Sequence, residues 1–255
     1  MKDLFDVTLL SVLQGIAEFL PISSSGHLVL GKSLLGMDEP GLRLDIFLHV
    51  GTLVSVCLFY FSVIRRILAE FDWRYALKVV LSAVPAGVVG VVFKDDLEAL
   101  FASTRAVGGA LLFTGVVLIG TRFLPCGGKS VGWWHALVVG VAQAIAIIPG
   151  VSRSGMTITT ARACGVEPVK CAEFSFLMSI PPIAGAVLLE VLKAFKADAA
   201  AATGDVSWGL AAYGAVLAGA VGFFALKFLL RSLKSRWFWL FGPYCLLAGA
   251  VCLIK

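Results

Sequence analysis

Charged residues are scarce in this chain of 255 residues. Lys, Arg, Asp and Glu together make up 15% of it, whereas soluble domains contain about 25%. Hydrophobic residues reach 59%, and the mean hydropathy is +0.95. This composition excludes a soluble globular domain. It indicates an integral membrane protein, because about 20 consecutive apolar residues in a helix cross a bilayer core.

Metal and redox motifs are also missing. The six cysteines form no Cys-x-x-Cys pair. The regularly spaced ones, Cys164 with Cys171 and Cys245 with Cys252, are seven residues apart and have no histidine nearby. This spacing fits neither a zinc site nor a redox pair. We interpret the cysteines as small apolar residues of membrane helices.

Six stretches are candidates for crossing a bilayer. They cover residues 46–64, 75–93, 106–121, 174–192, 208–230 and 237–254. The net charge of +5 lies largely in the connections between them, so it does not indicate nucleic acid binding. Basic residues concentrate in alternate connections: Arg65, Arg66, Arg74, Arg122, Lys129, Lys227, Arg231, Lys234 and Arg236. Because Lys and Arg mark cytoplasmic connections, we expect both termini on the outer side of the membrane.

The chain contains an internal repeat. The segment from Gln143 to Gly155 repeats the segment from Gln14 to Gly26, 129 positions later and without a gap. Six of the thirteen positions are identical, where about one match is expected by chance. We predict a single membrane domain, residues 1–255, built of two repeats at about 1–125 and 130–255. Three spans per repeat would place the second repeat upside down relative to the first.

Each repeat begins with an apolar segment that Pro and Gly interrupt, at about 4–36 and 131–165. We interpret both as re-entrant helix-loop-helix segments, because irregular backbone at membrane depth is tolerated only where protein buries it or a cavity wets it. The predicted fold is therefore an all-α polytopic membrane protein, an inverted repeat with six transmembrane helices and two re-entrant segments. Such repeats place polar sites near the midplane, between the halves.

Glu18 is the most costly residue of the first re-entrant segment. An ionised carboxylate at the centre of a membrane helix costs about 3 kcal/mol, so such residues are usually functional. Gln14 precedes it by four positions, which places both side chains on one helix face. The alternative interpretation is that Glu18 only pairs with Arg153 and holds the two halves together.

A hydroxyl-rich turn follows Pro21 and precedes a second helix. It contains Ser23, Ser24 and Ser25. A helix N-terminus favours an anion such as phosphate, although serines there are also ordinary N-caps. His27 follows the turn directly, where it could act as an acid, a base or a nucleophile. His49 and His135 lack comparable polar neighbours in the sequence, and we interpret them as structural.

The second re-entrant segment carries the same turn with a cation in it, because Arg153 stands where the first segment has Ser24. A guanidinium binds two phosphate oxygens at once. Hydroxyl donors surround it in the sequence: Ser152, Ser154 and Thr157. Symmetry of the repeats predicts that Ser24 and Arg153 face each other. We expect an enzyme in which Arg153 holds a phosphate, a hydroxyl or imidazole attacks it, and Glu18 is the base or orienting group.

The motifs together resemble the bacterial undecaprenyl-diphosphate phosphatases, the bacitracin-resistance family. The resemblance spans the chain and rests on Gln14-x-x-x-Glu18, Pro21-Ile-Ser-Ser-Ser-Gly-His27 and Pro149-Gly-Val-Ser-Arg-Ser-Gly-Met-Thr157. It implies an enzyme of the bacterial inner membrane, with its active site on the outer side, that hydrolyses undecaprenyl diphosphate to undecaprenyl phosphate and inorganic phosphate. This reaction would recycle the lipid carrier of cell-wall synthesis and confer bacitracin resistance.

The resemblance also implies roles for individual residues. The implied catalytic residues are Glu18, Ser24, His27 and Arg153. The implied substrate-binding residues are Gln14, Ser23, Ser25, Ser152, Ser154 and Thr157. Whether Ser24 or His27 attacks phosphorus stays open. A divalent cation, Mg or Ca, is implied as well, but Gln14 removes a possible second carboxylate, so we expect the cation to arrive with the diphosphate.

A transporter or flippase of a phosphorylated isoprenoid lipid is the main alternative. Inverted repeats with broken helices are as typical of transporters as of enzymes, and fold alone does not decide function. The group of Glu18, Ser24 and His27 favours hydrolysis, because a carrier needs a phosphate-binding site but has less use for acid-base groups beside it.

Overall fold

The computed structural model describes residues 2–36, 42–101, 103–196 and 206–254. Met1 and Lys255, the termini predicted to lie on the outer side, fall outside these ranges. Thirteen α-helices occur in the described ranges. They are α1 (Lys2–Ala17), α2 (Ser24–Leu35), α3 (Leu42–Phe59), α4 (Phe61–Ala69), α5 (Trp73–Val92), α6 (Lys94–Phe101), α7 (Thr104–Gly120), α8 (Trp133–Ile145), α9 (Arg153–Ala163), α10 (Pro168–Leu177), α11 (Ile180–Lys196), α12 (Trp208–Lys234) and α13 (Phe241–Ile254).

The predicted class, an all-α polytopic membrane protein, is confirmed. Four helical stretches are long and apolar enough to cross a membrane by themselves: Trp73–Val92, Thr104–Phe123, Pro168–Leu188 and Trp208–Lys234. The last predicted span corresponds to the shorter apolar stretch Phe238–Ile254, in which a 3-10 turn precedes α13.

The predicted span at 46–64 differs from a straight helix. α3 and α4 meet at an angle of 68°, so the chain turns sharply at Tyr60. α4 carries Arg65 and Arg66, and none of its residues is buried. Charged side chains are costly in hydrocarbon, which favours an orientation of α4 out of the membrane core.

Both predicted re-entrant segments are broken helices. The first breaks between α1 and α2, and the second breaks between α8 and α9. The backbone takes a left-handed conformation in each break, at Ser23 (φ 70°) and at Gly150 (φ 95°). A side chain on Gly150 would lie 2.5 Å from the carbonyl oxygen of Val107, so only glycine fits this turn.

Equivalent helices of the two halves pack in equivalent ways. α1 packs along α12 and α8 packs along α5, while α7 and α13 pack against each other. Since α8 and α12 are the counterparts of α1 and α5, a two-fold relation between the halves would produce this arrangement. Glycines allow close packing in the first two pairs, at Gly15 against the backbone of α12 and at Gly140 against that of α5. The division into repeats at about 1–125 and 130–255 stays a prediction.

Candidate active site

The two broken segments meet at Glu18, which directly follows α1. Arg153, the first residue of α9, donates from Nη2 to Oε1 of Glu18. Ser24, the first residue of α2, donates from Oγ to Oε2 at 2.7 Å, and Nε2 of Gln14 donates to the same oxygen at 3.2 Å. Glu18 is 7% exposed. The ion pair and the two hydrogen bonds compensate the burial of its charge.

Glu18, Ser24 and Arg153 line a cavity of about 490 Å³. One part of its lining is polar and includes Glu18, Ser23, Ser24, Ser25, Ser152 and Arg153. Another part is apolar and includes Phe101, Ile147, Pro182, Ile183, Ala186 and Val187. A cavity with these two kinds of lining suits a ligand with a charged head and a hydrocarbon chain.

Arg153 has donor capacity left for an anion. Its Nη2 contacts Glu18, whereas Nη1 is buried and has no hydrogen-bond partner in the described part of the chain. Ser24 and Arg153, which line the cavity, are the first residues of α2 and α9. The N-termini of both helices therefore lie at the cavity. Backbone N–H groups at such termini favour phosphate. The cavity therefore combines a fixed cation with two partial positive charges.

The turn serines form the same capping arrangement in both halves. Ser23 accepts a hydrogen bond from the amide of Gly26 at 3.4 Å, and Ser152 accepts one from Gly155 at 3.1 Å. Each hydroxyl also lies near that of the serine two residues later, at 3.3 Å in the first turn and 3.4 Å in the second. Ser23 and Ser152 therefore hold their helix starts in place while they line the cavity.

Three residues predicted to bind substrate, Gln14, Ser154 and Thr157, are not among the residues that line the cavity. All three are buried. Thr157 donates to the carbonyl oxygen of Arg153 at 2.8 Å, and its hydroxyl is 2.5 Å from that of Ser175 in α10. The contacts of Thr157 join the first turn of α9 to α10 and so hold Arg153 in position.

His27 is also outside the cavity lining. Its Nδ1 is 2.9 Å from the carbonyl oxygen of Ser23, and its Nε2 is 2.7 Å from the hydroxyl of Tyr244. The two rings stack with centroids 5.5 Å apart. Both ring nitrogens are thus engaged, in an arrangement that fastens the strained Ser23 turn to α13.

The sequence interpretation missed His49, which lines the cavity. Its Nδ1 lies 2.8 Å from the carbonyl oxygen of Asp45, and among the described residues its Nε2 has no hydrogen-bond partner. Asp45 lines the cavity too, and it forms an ion pair with Lys32 at 2.7 Å. The four-residue spacing of Asp45 and His49, which places them on one face of α3, is the signal that could have identified them.

The residues present do not fit a resident divalent cation. No group of three or more His, Cys, Asp or Glu side chains in the described ranges could hold a metal ion. The two carboxylates of the cavity are already paired, Glu18 with Arg153 and Asp45 with Lys32. Oxygen ligands for Mg²⁺ or Ca²⁺ would have to come mainly from a bound ligand.

The chain is similar in sequence to known proteins of one family. The sequence model described as bacitracin resistance protein BacA matches residues 7–251. The chain belongs to the BacA family. Three relatives are each named undecaprenyl-diphosphatase. The relative from Desulfatibacillum aliphaticivorans is 42% identical, and the match covers 98% of this chain and 97% of the relative. The relatives from Desulforapulum autotrophicum and Halothermothrix orenii are 39% and 38% identical. Each of these two matches covers 99% of this chain and 98% of the relative.

The repeat leaves a buried polar group without a partner in this BacA protein. Gln143, the counterpart of Gln14, is 3% exposed, and neither its Oε1 nor its Nε2 has a hydrogen-bond partner among the described residues. In the first half Gln14 bonds Glu18, whereas Ile147 stands at the corresponding position of the second half. The amide of Gln143 therefore lacks the partner that its counterpart has.

This difference predicts opposite results for two matched variants. Gln143→Leu is expected to raise Tm by about 2 to 6 °C, because an unsatisfied buried amide costs about 1–3 kcal/mol. Gln14→Leu, which makes the same chemical change, removes a donor from Glu18 and is expected to lower both Tm and activity. Thermal unfolding in detergent checks both. A Tm that falls equally in the two variants would contradict the account.

Proposed function

We propose that this protein is an integral membrane phosphatase that hydrolyses undecaprenyl diphosphate to undecaprenyl phosphate and inorganic phosphate. The observation that carries this proposal is the convergence of Ser24, Glu18 and Arg153 on one cavity with an apolar wall. Family membership and the names of the full-length relatives support it. The reaction recycles a lipid carrier of cell-wall synthesis. It also confers bacitracin resistance, because it removes the lipid diphosphate that bacitracin sequesters.

Ser24 is the proposed nucleophile. Its Oγ attacks the terminal phosphorus while Oε2 of Glu18, 2.7 Å away, accepts its proton. As the new O–P bond forms, the bond to the bridging oxygen breaks, and undecaprenyl phosphate leaves with the electron pair. Glu18 passes the accepted proton to the leaving phosphate and is ionised again. Water then attacks the phosphoserine while Glu18 accepts a proton from it. The O–P bond to Ser24 breaks, the Ser24 oxygen takes up that proton from Glu18, and inorganic phosphate is released. The contacts of His27 with Ser23 and Tyr244 support a positioning role for that imidazole instead.

Arg153 is the proposed phosphate-binding group. Its unpartnered Nη1 and the N-termini of α2 and α9 supply donors for the oxygens of the terminal phosphate. Ser25 and Ser152, which line the same cavity, add hydroxyl groups. Electrostatic stabilisation of this kind strengthens as charge develops in the transition state, which raises the rate rather than only the affinity.

The apolar part of the cavity is the proposed entry for the prenyl chain. Pro182, Ile183, Ala186 and Val187 belong to one helix, α11, and line the cavity together. A cavity of about 490 Å³ holds the diphosphate and the nearest isoprene units only, so the rest of a 55-carbon chain stays in the bilayer. A divalent cation would arrive with the diphosphate.

The proposed location is the inner (plasma) membrane of a bacterium, with the protein crossing it several times. The distribution of Lys and Arg among the connections supports outward-facing termini. The active site is proposed to open to the same outer side. Labelling of single cysteines introduced beside Arg65 and at the N-terminus, with a reagent that does not cross membranes, tests the assignment: only the N-terminal position is expected to react from outside.

Phosphate release from prenyl diphosphates tests the proposed function itself. The purified protein in detergent is expected to release one phosphate from both a 55-carbon and a 15-carbon prenyl diphosphate, since only the first isoprene units enter the cavity. The monophosphate products should not be hydrolysed further. If folded, monodisperse protein binds these lipids and releases no phosphate, the proposal is wrong and a carrier function is favoured.

A further inference from the structure

A groove of about 540 Å³ lies at the end of α12, and it shares no lining residue with the catalytic cavity. Its lining combines basic, aromatic and hydroxyl side chains. They are Phe228, Arg231, Ser232, Lys234, Ser235 and Trp237. None of these residues has a part in the proposed reaction.

The length of α12 places this groove at the level of the lipid headgroups. The helix has 27 residues, which extend about 40 Å at 1.5 Å per residue, whereas the hydrocarbon core is about 30 Å thick. Exposed tryptophans mark both ends, Trp208 at its first position and Trp237 just beyond its last. Tryptophan concentrates at membrane interfaces. Arg231 and Lys234, in the last turn, therefore lie near lipid phosphates.

The positive charges of the groove have no counter-ion in this part of the sequence. Residues 206–255 contain no Asp or Glu. Arg231 and Lys234 form no ion pair within the described ranges. The hydroxyls of Ser232 and Ser235 donate to backbone carbonyls of α12. The donors left to bind a ligand are therefore the two cationic side chains.

A second observation indicates an excess of positive charge at this end of the molecule. Arg162, in the last turn of α9, is 5% exposed, and its Nε is buried without a hydrogen-bond partner among the described residues. Its guanidinium carbon lies 5.9 Å from the ring centroid of Phe238, the neighbour of Trp237 in the sequence. An anion bound nearby would offset this buried positive charge.

We propose that this groove binds the headgroup of an anionic phospholipid. The guanidinium of Arg231 binds two oxygens of the lipid phosphate, and the ammonium of Lys234 binds the same group as a point charge. Phe228 and Trp237 pack beside the glycerol and the upper acyl chains. The site is separate from the catalytic cavity, and its occupation stabilises the junction of α12 with the segment that leads into α13.

A thermal-shift experiment tests the proposal. Phosphatidylglycerol added to the protein in an uncharged detergent is expected to raise Tm by about 5 °C at saturation, whereas phosphatidylcholine should produce no comparable rise. The double variant Arg231→Gln/Lys234→Gln is expected to lose at least half of the rise. The control Arg65→Gln/Arg66→Gln removes two positive charges from the exposed helix α4. This control should keep the full rise in Tm.

Several outcomes would overturn the proposal. An equal rise in the groove variant and the wild type would exclude this site. An equal rise with inorganic phosphate at the same concentration, lost in the same way in the groove variant, would show that the ligand of the groove is free phosphate rather than a lipid. If the double variant does not fold, the two single substitutions replace it. The rise in the wild type must also shrink in about 0.5 M NaCl, because the contacts are electrostatic, and a rise that persists would contradict the proposal.

Discussion

Replacing Ser24 by alanine is expected to lower kcat for phosphate release by about 10³-fold or more, in a protein that still folds. The substitution removes the proposed nucleophile, whose Oγ donates to Glu18 at 2.7 Å and faces the cavity. Glu18 retains its contacts with Arg153 and Gln14. Loss of one hydrogen bond costs about 1 kcal/mol, so Tm should change by only a few degrees.

Ser25 provides the matched control for Ser24. It lines the same cavity one position later and makes no hydrogen bond to Glu18 in the structure. Ser25→Ala removes the same atom and is expected to lower kcat by about tenfold or less, the effect of a single hydrogen bond. The rate of phosphate release at saturating substrate gives kcat for both variants. A Ser24→Ala protein that keeps more than a tenth of the wild-type kcat would refute its role as nucleophile.

Arg153→Ala is expected to have the second large effect, with a loss in kcat/KM on the order of 10³. It removes the cation of the cavity and leaves the carboxylate of Glu18 buried without an ion-pair partner. Breaking a buried pair in this way costs about 3–5 kcal/mol, so Tm should fall as well. Arg153→Lys keeps the charge without the planar fork, and we expect it to be intermediate in activity.

A double variant separates catalysis from structure. In Arg153→Ala/Glu18→Gln no uncompensated charge remains, so Tm should recover much of the loss seen in Arg153→Ala, while activity stays no higher than in Arg153→Ala. If Glu18 and Arg153 only held the two halves together, activity would return with stability. Recovery of both in the double variant would therefore favour the purely structural interpretation of this ion pair.

The central pair of the site could be predicted from the sequence for a simple reason. Carboxylate and guanidinium groups at membrane depth are so costly that each requires a partner, and the repeat indicates which segments meet. In the structure, Glu18 contacts both Ser24 and Arg153. The confirmed helical class follows from the same constraint, because a backbone in lipid must satisfy its own hydrogen bonds.

Other features depended on tertiary contacts that no spacing reveals. His27 follows the serine turn, yet its ring contacts Tyr244, which lies 217 positions later in the chain. The spacing of Asp45 and His49 puts both on one face of α3, but only the packing of α3 places that face in the cavity. Sequence periodicity shows which residues share a helix face. It does not show which neighbour that face contacts.

The most direct test of the account is the structure of the protein with a non-hydrolysable prenyl methylenediphosphonate. We predict that the terminal phosphorus lies in the cavity, within contact of the Arg153 guanidinium, with the Ser24 hydroxyl opposite the bridging carbon and the prenyl chain along α11. A diphosphonate bound outside this cavity, or bound with its phosphorus against His27 and away from Ser24, would contradict the proposed site and nucleophile.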